Sequence, residues 1–234
     1  MVSISAYLRR GMVAGLLAGL LAGLFAFFVG EPYVDGAIRL EEAAGGGGEE
    51  VFGRATQRAG LFLATGLFGV TVGGVFGLVY AYFRGRLSLE RDWYRSLSLA
   101  AALFAGVFLI PFVKYPANPP TVGDPATIGE RTVAYFAMVG LSVLVVLSAW
   151  LVARWLKGRG FGAPARQTVV GLGVLAAVTV LFAVLPSAPD PGSFPSGMLW
   201  GFRLSSLGTQ AVFWAGLGAV FGILCERANR RRAL

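Results

Sequence analysis

The sequence contains no histidine and only one cysteine, Cys225. Without histidine, the protein lacks the side chain that most often serves as a general base near neutral pH, and it lacks the imidazole ligand of many metal sites. One cysteine excludes an internal disulfide and any metal site built from several thiolates. Charged residues make up only 14% of the chain, against about 25% in soluble domains. These absences argue against a histidine-dependent enzyme and against a soluble globular domain.

The sequence instead contains six long apolar runs, and 56% of its residues are hydrophobic. A helix needs about 20 predominantly apolar residues to cross a bilayer. The sequence therefore predicts an all-α polytopic membrane protein, a single transmembrane domain over residues 1–234 with a six-helix bundle. The predicted spans are residues 11–30, 60–83, 97–113, 133–155, 168–185 and 204–225.

The distribution of charge predicts the orientation of these spans. If the N-terminus is cytoplasmic, the inner segments hold 14 of the 20 lysines and arginines but only 3 of the 12 acidic residues. Basic residues concentrate in the cytoplasmic segments of membrane proteins. The pattern therefore predicts a multi-pass protein of the cell membrane with both termini in the cytoplasm. The same pattern explains the net charge of +8 by the orientation of the chain in the lipid bilayer, so we do not expect nucleic-acid binding.

The segment 111–132, PFVKYPANPPTVGDPATIGERT, differs from the apolar runs on both sides of it. Its five prolines fix φ and remove backbone donors, so it is predicted to be a stiff, non-helical outer connection. Its polar residues and those of neighbouring helix ends are candidate substrate-binding groups, although a purely structural turn is the alternative. The candidates are the acids Asp124, Glu130 and Glu31, their expected ion-pair partners Lys114, Arg131 and Arg203, and the amides Asn118 and Gln210.

The segment 31–58 is predicted to be a flexible acidic outer loop. Within it, LEEAAGGGGEE (residues 40–50) places four glycines between two pairs of carboxylates, and tetraglycine has little conformational preference. Oxygen ligands on such a tether could weakly capture a hard divalent cation. The candidate metal ligands are Glu41, Glu42, Glu49 and Glu50. A solvated acidic loop that binds no metal is the alternative.

Small residues recur at every fourth position in two of the predicted spans. In the first span these are Gly11, Gly15, Gly19 and Gly23, and the second repeats the pattern at residues 69, 73 and 77. This spacing lets helix backbones approach closely in a membrane. It favours packing within the bundle, and docking of a partner helix or a homo-oligomer is the alternative.

Several chemical signatures are missing from the sequence. No Asp, Glu, Lys or Arg lies near the middle of a predicted span, where proton relays and ion pathways usually carry ionisable groups. The sequence also has no recognisable nucleophile–base pair, phosphate-binding loop or dinucleotide fingerprint. We therefore expect neither enzymatic activity nor a bound cofactor.

Three stretches resemble the CbtA family of predicted cobalt-transporter subunits. They are Glu31-Pro32 after the first run, KYPANPPTVGDPATIGERT (114–132) and FRLSSLGTQ (202–210). The resemblance covers most of the chain in order and spacing. It implies a role in cobalt uptake, with Co²⁺ as the transported ion, beside a small single-span partner that bears histidines. Many members of the family carry histidines after the first helix, whereas this chain has only carboxylates there, so the partner is expected to supply the softer ligands.

The sequence thus predicts a membrane subunit for uptake of cobalt or a related divalent metal, with an outer acidic and proline-rich vestibule. Two other functions stay open at this point. The glycine faces and uncharged span interiors favour a non-transporting assembly or scaffold subunit that docks a small partner helix. The outer arginines would instead suit a carrier for another small solute, either uncharged or anionic.

Overall fold

The computed structural model describes residues 3–45, 52–120, 122–123, 125–188 and 190–233, and these ranges contain helices and no β-strand. Two π-helical turns, Ala26–Gly30 and Phe104–Leu109, and a 3₁₀ turn, Pro125–Thr127, interrupt or precede the α-helices. The α-helices are α1 (Ile4–Phe25), α2 (Glu31–Ala43), α3 (Arg54–Phe83), α4 (Asp92–Leu103), α5 (Ile110–Lys114), α6 (Ile128–Gly158), α7 (Ala163–Val184) and α8 (Ser196–Ala233).

Six helical segments in this part of the chain are long and apolar enough to cross a membrane. The first, Ile4–Ala43, joins α1 to α2 through a π turn, and the third, Asp92–Lys114, joins α4 to α5 in the same way. The prediction of an all-α protein with six spans is confirmed. The cytoplasmic location of the termini stays a prediction.

The prediction of a loop over residues 31–58 is wrong for two parts of this segment. Residues 31–43 are helical because Pro32 does not end the first helix, and residues 54–58 form the first turns of α3. Proline cannot donate the bond to the carbonyl of Phe28 that a regular helix requires. In the π turn before it, the N–H of Glu31 bonds to Ala26, five residues back, and this shift of register accommodates the proline. Residues 46–51, which include Glu49 and Glu50, lie outside the described residues.

Pro111 is accommodated in the same way, which corrects the predicted start of the proline-rich connection. The π turn Phe104–Leu109 precedes it, and the N–H of Ile110 bonds to Ala105. The helix therefore continues to Lys114, and α6 begins at Ile128. Only the residues between these two positions remain as the connection between α5 and α6.

The chain divides into two compact units, and the first comprises Met1–Ala101, Asn118–Thr121 and Pro195–Leu234. In this unit α1 packs against both α3 and α8. The glycines of α1 face those of α3 so closely that a Cβ added to Gly15 would collide with the backbone of Gly69 and Gly73. Aromatic residues fill the space beside this contact, where Phe76 and Tyr80 of α3 meet Phe221 of α8 at centroid distances of 5.1 and 4.8 Å.

The second unit comprises Ala102–Ala117 and Val122–Phe194. Here α6 packs on α7 and on the π turn Phe104–Leu109, whereas none of the residues of α7 is buried. Lys114 Nζ donates a hydrogen bond of 2.9 Å to the carbonyl of Phe182, in the last turn of α7. Because the last carbonyls of a helix have no partner within it, this bond caps α7.

Candidate functional site

Four charged side chains meet where α2 lies beside the start of α3, and we call them the carboxylate–arginine cluster: Glu31, Asp35, Arg54 and Arg58. The two acids are four residues apart on α2 and the two arginines are four residues apart on α3, so each pair lies on one helical face. Arg54 Nη2 lies 2.7 Å from Glu31 Oε2 and 2.6 Å from Asp35 Oδ1. Arg58 closes the arrangement, with Nε 3.3 Å from Glu31 Oε2 and Nη2 2.6 Å from Asp35 Oδ2.

The carboxylate–arginine cluster is electrically balanced and partly shielded from solvent. The side chains of Glu31 and Asp35 are 15% and 21% exposed, and those of Arg54 and Arg58 are 23% and 40% exposed. Three of the four carboxylate oxygens accept bonds from the arginines, while Glu31 Oε1 accepts none from the residues that the structure describes. The arginines keep more contact with water than the acids do, so the cluster lies between an exposed ion pair, which contributes little stability, and a buried one, which is costly to break.

Glu31 was expected to pair with Lys114, Arg131 or Arg203, and this expectation is wrong because Arg54 and Arg58 take that place. Lys114 instead caps α7. The guanidinium of Arg131 lies against Gly123, where an added Cβ would collide with Arg131 Nη1.

The structure brings together two other residues of the predicted outer patch. Arg203 Nη2 donates a hydrogen bond of 2.9 Å to Asn118 Oδ1, and the guanidinium lies 5.5 Å from the centre of the Trp200 ring. Gln210 lies half-buried on α8, two turns beyond Arg203. Between them, the Thr209 hydroxyl donates to a carbonyl within the same helix, which is a structural role.

The remaining predicted acids lie at helix ends or outside the described residues. Glu130 is exposed in the first turn of α6, where a negative charge is favourable at the positive end of the helix dipole. Glu41 and Glu42 lie in the last turn of α2, and Asp124, Glu49 and Glu50 lie outside the described residues. In the described ranges, no three His, Cys, Asp or Glu side chains are close enough together to hold a metal ion.

A second cluster, not predicted from the sequence, surrounds the buried carboxylate of Asp92 at the first residue of α4. We call Asp92, Tyr80, Arg84, Arg95 and Asn229 the Asp92 cluster. The Tyr80 hydroxyl donates to Asp92 at 2.8 Å and Asn229 Nδ2 donates at 2.7 Å. Arg84 Nε and Arg95 Nη1 each lie 3.1 Å from the carboxylate. These residues join α3, α4 and α8 within the first unit.

A neighbouring ion pair extends this arrangement toward solvent. Arg91 donates from Nε and Nη2 to the two oxygens of Glu226, at 3.2 and 3.1 Å. The backbone N–H of Trp93 also bonds to Glu226 Oε1, at 3.3 Å. The hydrogen bond and the charge of Glu226 raise the pKa of the Arg91 guanidinium, so Arg91 stays a cation at any physiological pH.

The sequence carried a signal for the first cluster but not for the second. Glu31 and Asp35 share a helical face only if residues 31–43 are helical, and the proline at position 32 concealed that. The partners of Asp92 come from positions 80, 84, 95 and 229, and no local pattern indicates that they meet.

Comparison with known proteins completes this description. A model of the family described as "Probable cobalt transporter subunit (CbtA)" matches residues 4–226. Searches among curated proteins and among solved structures give no match. The family match extends over nearly the whole chain of 234 residues and includes five of the six segments that could span a membrane in full and most of the sixth, Ser196–Arg231. The chain belongs to the CbtA family of probable cobalt transporter subunits.

Proposed function

We propose that this chain is the membrane-spanning subunit of an uptake system in the cell membrane for cobalt or a related divalent metal. Membership of the CbtA family supports the metal as the transported substrate. The observation that carries the proposal in this chain is the carboxylate pair of Glu31 and Asp35, held half-buried by two arginines at one end of α3. In our proposal this pair is the first site that receives the incoming cation.

The charge balance of the cluster suits such an exchange. The charges of two carboxylates and two arginines sum to zero. The net charge is zero again when one divalent cation replaces both guanidinium groups. Arg54 and Arg58 are 23% and 40% exposed, so both can turn toward water when the cation arrives. The free Oε1 of Glu31 offers a first contact before any arginine leaves. The exchange then avoids an uncompensated charge in a half-buried place, which is the costly alternative.

Two carboxylates are an incomplete ligand set for a transition metal, and imidazole binds cobalt better than oxygen does. We therefore propose that water and a small single-span partner bearing histidines supply the other ligands. Glu41 and Glu42 at the end of α2, with Glu49 and Glu50, would concentrate cations beside the site. Asp124 and Glu130, in the connection before α6, remain proposed acids of an outer vestibule.

The test is uptake of radioactive Co²⁺ by cells that express the full chain together with its uptake partners. We expect Glu31→Gln combined with Asp35→Asn to reduce uptake on the order of tenfold or more, because both metal-binding charges are lost. Asp190→Asn is the matched control, since Asp190 is an exposed acid whose hydrogen bond among the described residues is the one it accepts from the N–H of Gly192, and asparagine keeps that bond. Uptake by the control should equal that of the unmodified chain.

A charge swap separates metal binding from a purely structural ion pair. Exchanging all four residues, Glu31→Arg and Asp35→Arg together with Arg54→Glu and Arg58→Asp, keeps every acid opposite an arginine but moves both carboxylates to α3. If the cluster only joins two helices, the swapped chain transports normally and the proposal is wrong. We expect uptake to stay low although the protein reaches the membrane in normal amounts.

Asp124→Ala combined with Glu130→Ala tests the outer vestibule in the same assay, and unchanged uptake would remove those two acids from the mechanism.

One observation favours a second function, that of an assembly subunit. The residues of α7 are all at least partly exposed, and a Cβ added to Gly171 or Gly173 would meet no other atom within 4 Å. A helix with an open small-residue face suits docking of another membrane helix. Flux of Co²⁺ into reconstituted vesicles with and without this chain decides between the two functions, because a scaffold alone would not change flux once its partners are assembled.

A further inference from the structure

A cavity of about 470 Å³ opens beside the Asp92 cluster, at the ends of α3 and α8 and the start of α4. Four arginines line it, together with Asn229 and the acids of this region. The arginines are Arg84, Arg91, Arg95 and Arg230. Guanidinium groups present several N–H donors in a fixed plane, and this geometry matches the oxygens of phosphate. The cavity belongs entirely to the first unit and is distant in sequence from the carboxylate–arginine cluster.

Buried Asp92 and partly exposed Glu226 orient the arginines of the cavity without neutralising all of their charge. Asp92 holds Arg84 and Arg95, and Glu226 holds Arg91 through two bonds. Each of these arginines has further N–H groups that those bonds do not use. A side chain already fixed by such partners loses less entropy when it binds a ligand. The site is thus organised in advance for an additional acceptor.

Two donors in the cavity lack an acceptor in the described part of the chain. Arg95 Nε is buried and has no hydrogen-bond partner, a costly condition for a charged donor. Arg230 forms no ion pair with the described residues, although it lies on the same wall of the cavity as Glu226. The four lining arginines outnumber the three lining carboxylates of Glu90, Asp92 and Glu226, so the cavity carries a net positive charge that attracts an anion.

The position of the cavity indicates where the anion comes from. It lies where the apolar part of α3 ends, and the lining residue Arg91 is 5.7 Å from the centre of the exposed Tyr94 ring. Tyr82, near the end of α3, is a second exposed ring, and it lies under Arg86. Exposed aromatic rings of this kind concentrate at the membrane–water boundary. Basic pockets between transmembrane helices on the cytoplasmic side bind anionic lipid headgroups. The charge distribution of the sequence predicts this end of the spans to be cytoplasmic.

We propose that this cavity binds a phosphate-bearing anion, and that the headgroup of an anionic phospholipid is the source which its place at the membrane boundary favours. The phosphate would accept hydrogen bonds from Arg95 and Arg230, while Asp92 and Glu226 keep the other arginines in position. Binding would join α4 to α8. It would not involve the residues of the carboxylate–arginine cluster, so this proposal is independent of the proposed metal site.

The experiment is native mass spectrometry of the full chain in detergent, titrated separately with three probes. These are dioctanoyl phosphatidylglycerol, dioctanoyl phosphatidylcholine and glycerol 3-phosphate. We expect the first to bind most tightly, and Arg230→Gln to weaken it about tenfold, since a hydrogen bond to a charged group is lost. Arg231→Gln is the matched control. Arg231 is an exposed neighbour outside the cavity, and its substitution removes the same charge from the same helix. Arg230 is exposed and forms no hydrogen bond or ion pair with the described residues, so its variant should fold normally.

Each outcome decides the proposal. Tight binding of phosphatidylglycerol that falls in Arg230→Gln but not in Arg231→Gln supports the lipid source. Equal binding of glycerol 3-phosphate with the same dependence on Arg230 supports a soluble phosphate ester as the ligand. If both variants weaken binding equally, or if phosphatidylcholine binds as tightly as phosphatidylglycerol, the cavity has no specific anion site and the proposal fails.

Discussion

At the scale of single residues, Asp92 is the side chain on which the first unit depends most. Its carboxylate is 3% exposed and accepts bonds from one residue of α3, one of α8 and two arginines. A buried charge is tolerated only when its partners compensate for lost hydration. Here four donors do so, and they simultaneously tie three helices together.

We expect Asp92→Asn to lower the free energy of unfolding by about 3 kcal/mol, because both arginines lose their counter-charge while they stay partly buried. This is the lower end of the range of about 3–5 kcal/mol for breaking a buried ion pair, because the side chains of Arg84 and Arg95 are still 34% and 19% exposed to solvent. Thermal unfolding of the purified chain in detergent measures the change. Glu90→Gln is the control, since Glu90 is an exposed acid of the same cavity and has no ion pair with the described residues. Equal unfolding temperatures for the two variants would contradict this role of Asp92.

At the scale of helices, the contact between α1 and α3 rests on the absence of side chains. A Cβ on Gly69 would collide with the carbonyl oxygen of Gly15 and approach the Cα of Gly19 at 3.1 Å. These are backbone atoms, which cannot move aside as the end of a flexible side chain can. Close approach of two backbones is also what makes such a contact favourable in lipid, where apolar burial supplies no drive.

We therefore expect Gly69→Ala to destabilise the fold by about 1–3 kcal/mol, the usual cost of forcing an extra carbon into a packed contact. Gly60→Ala lies in the same helix, but its Cβ would meet no other atom within 4 Å. The control should be neutral or slightly stabilising, because alanine is the better helix former. Unfolding temperatures of the two variants check this pair, and a loss of stability in both would mean that glycine is needed for another reason.

The two proline positions show why element boundaries were harder to predict than elements. Hydropathy located the six spans because an apolar run of sufficient length permits few other structures in a membrane. It could not indicate that a π turn precedes Pro32 and Pro111 and lets each helix continue. A proline alone is a reasonable signal for a helix end, whereas the compensating π turn depends on the backbone of five residues in one case and six in the other. The error at Pro32 also concealed the helical spacing of Glu31 and Asp35.

At the scale of the whole molecule, three purposes are predicted or proposed for the charges, and composition alone does not separate them. Most basic residues lie in segments predicted to be cytoplasmic, Arg54 and Arg58 hold the proposed metal-receiving acids, and the arginines near Asp92 line the proposed anion cavity. Counting charges along the sequence predicted the first purpose. The other two proposals depend on contacts between residues that are far apart in the chain, so they could not be made from the sequence.

The proposed function requires the carboxylate–arginine cluster and residues 114–131 to face away from the side that holds the termini. An even number of spans gives this arrangement, and it can be tested because the chain has a single cysteine to remove. In a Cys225→Ala background, we expect Glu130→Cys and Asp190→Cys to react with a membrane-impermeant maleimide on intact cells, because both positions are exposed on predicted outer segments. Lys157→Cys and Arg231→Cys should react only after the membrane is permeabilised. Labelling of Glu130→Cys and Arg231→Cys under the same condition would place them on one side of the membrane, and the proposed path for the metal would then be wrong.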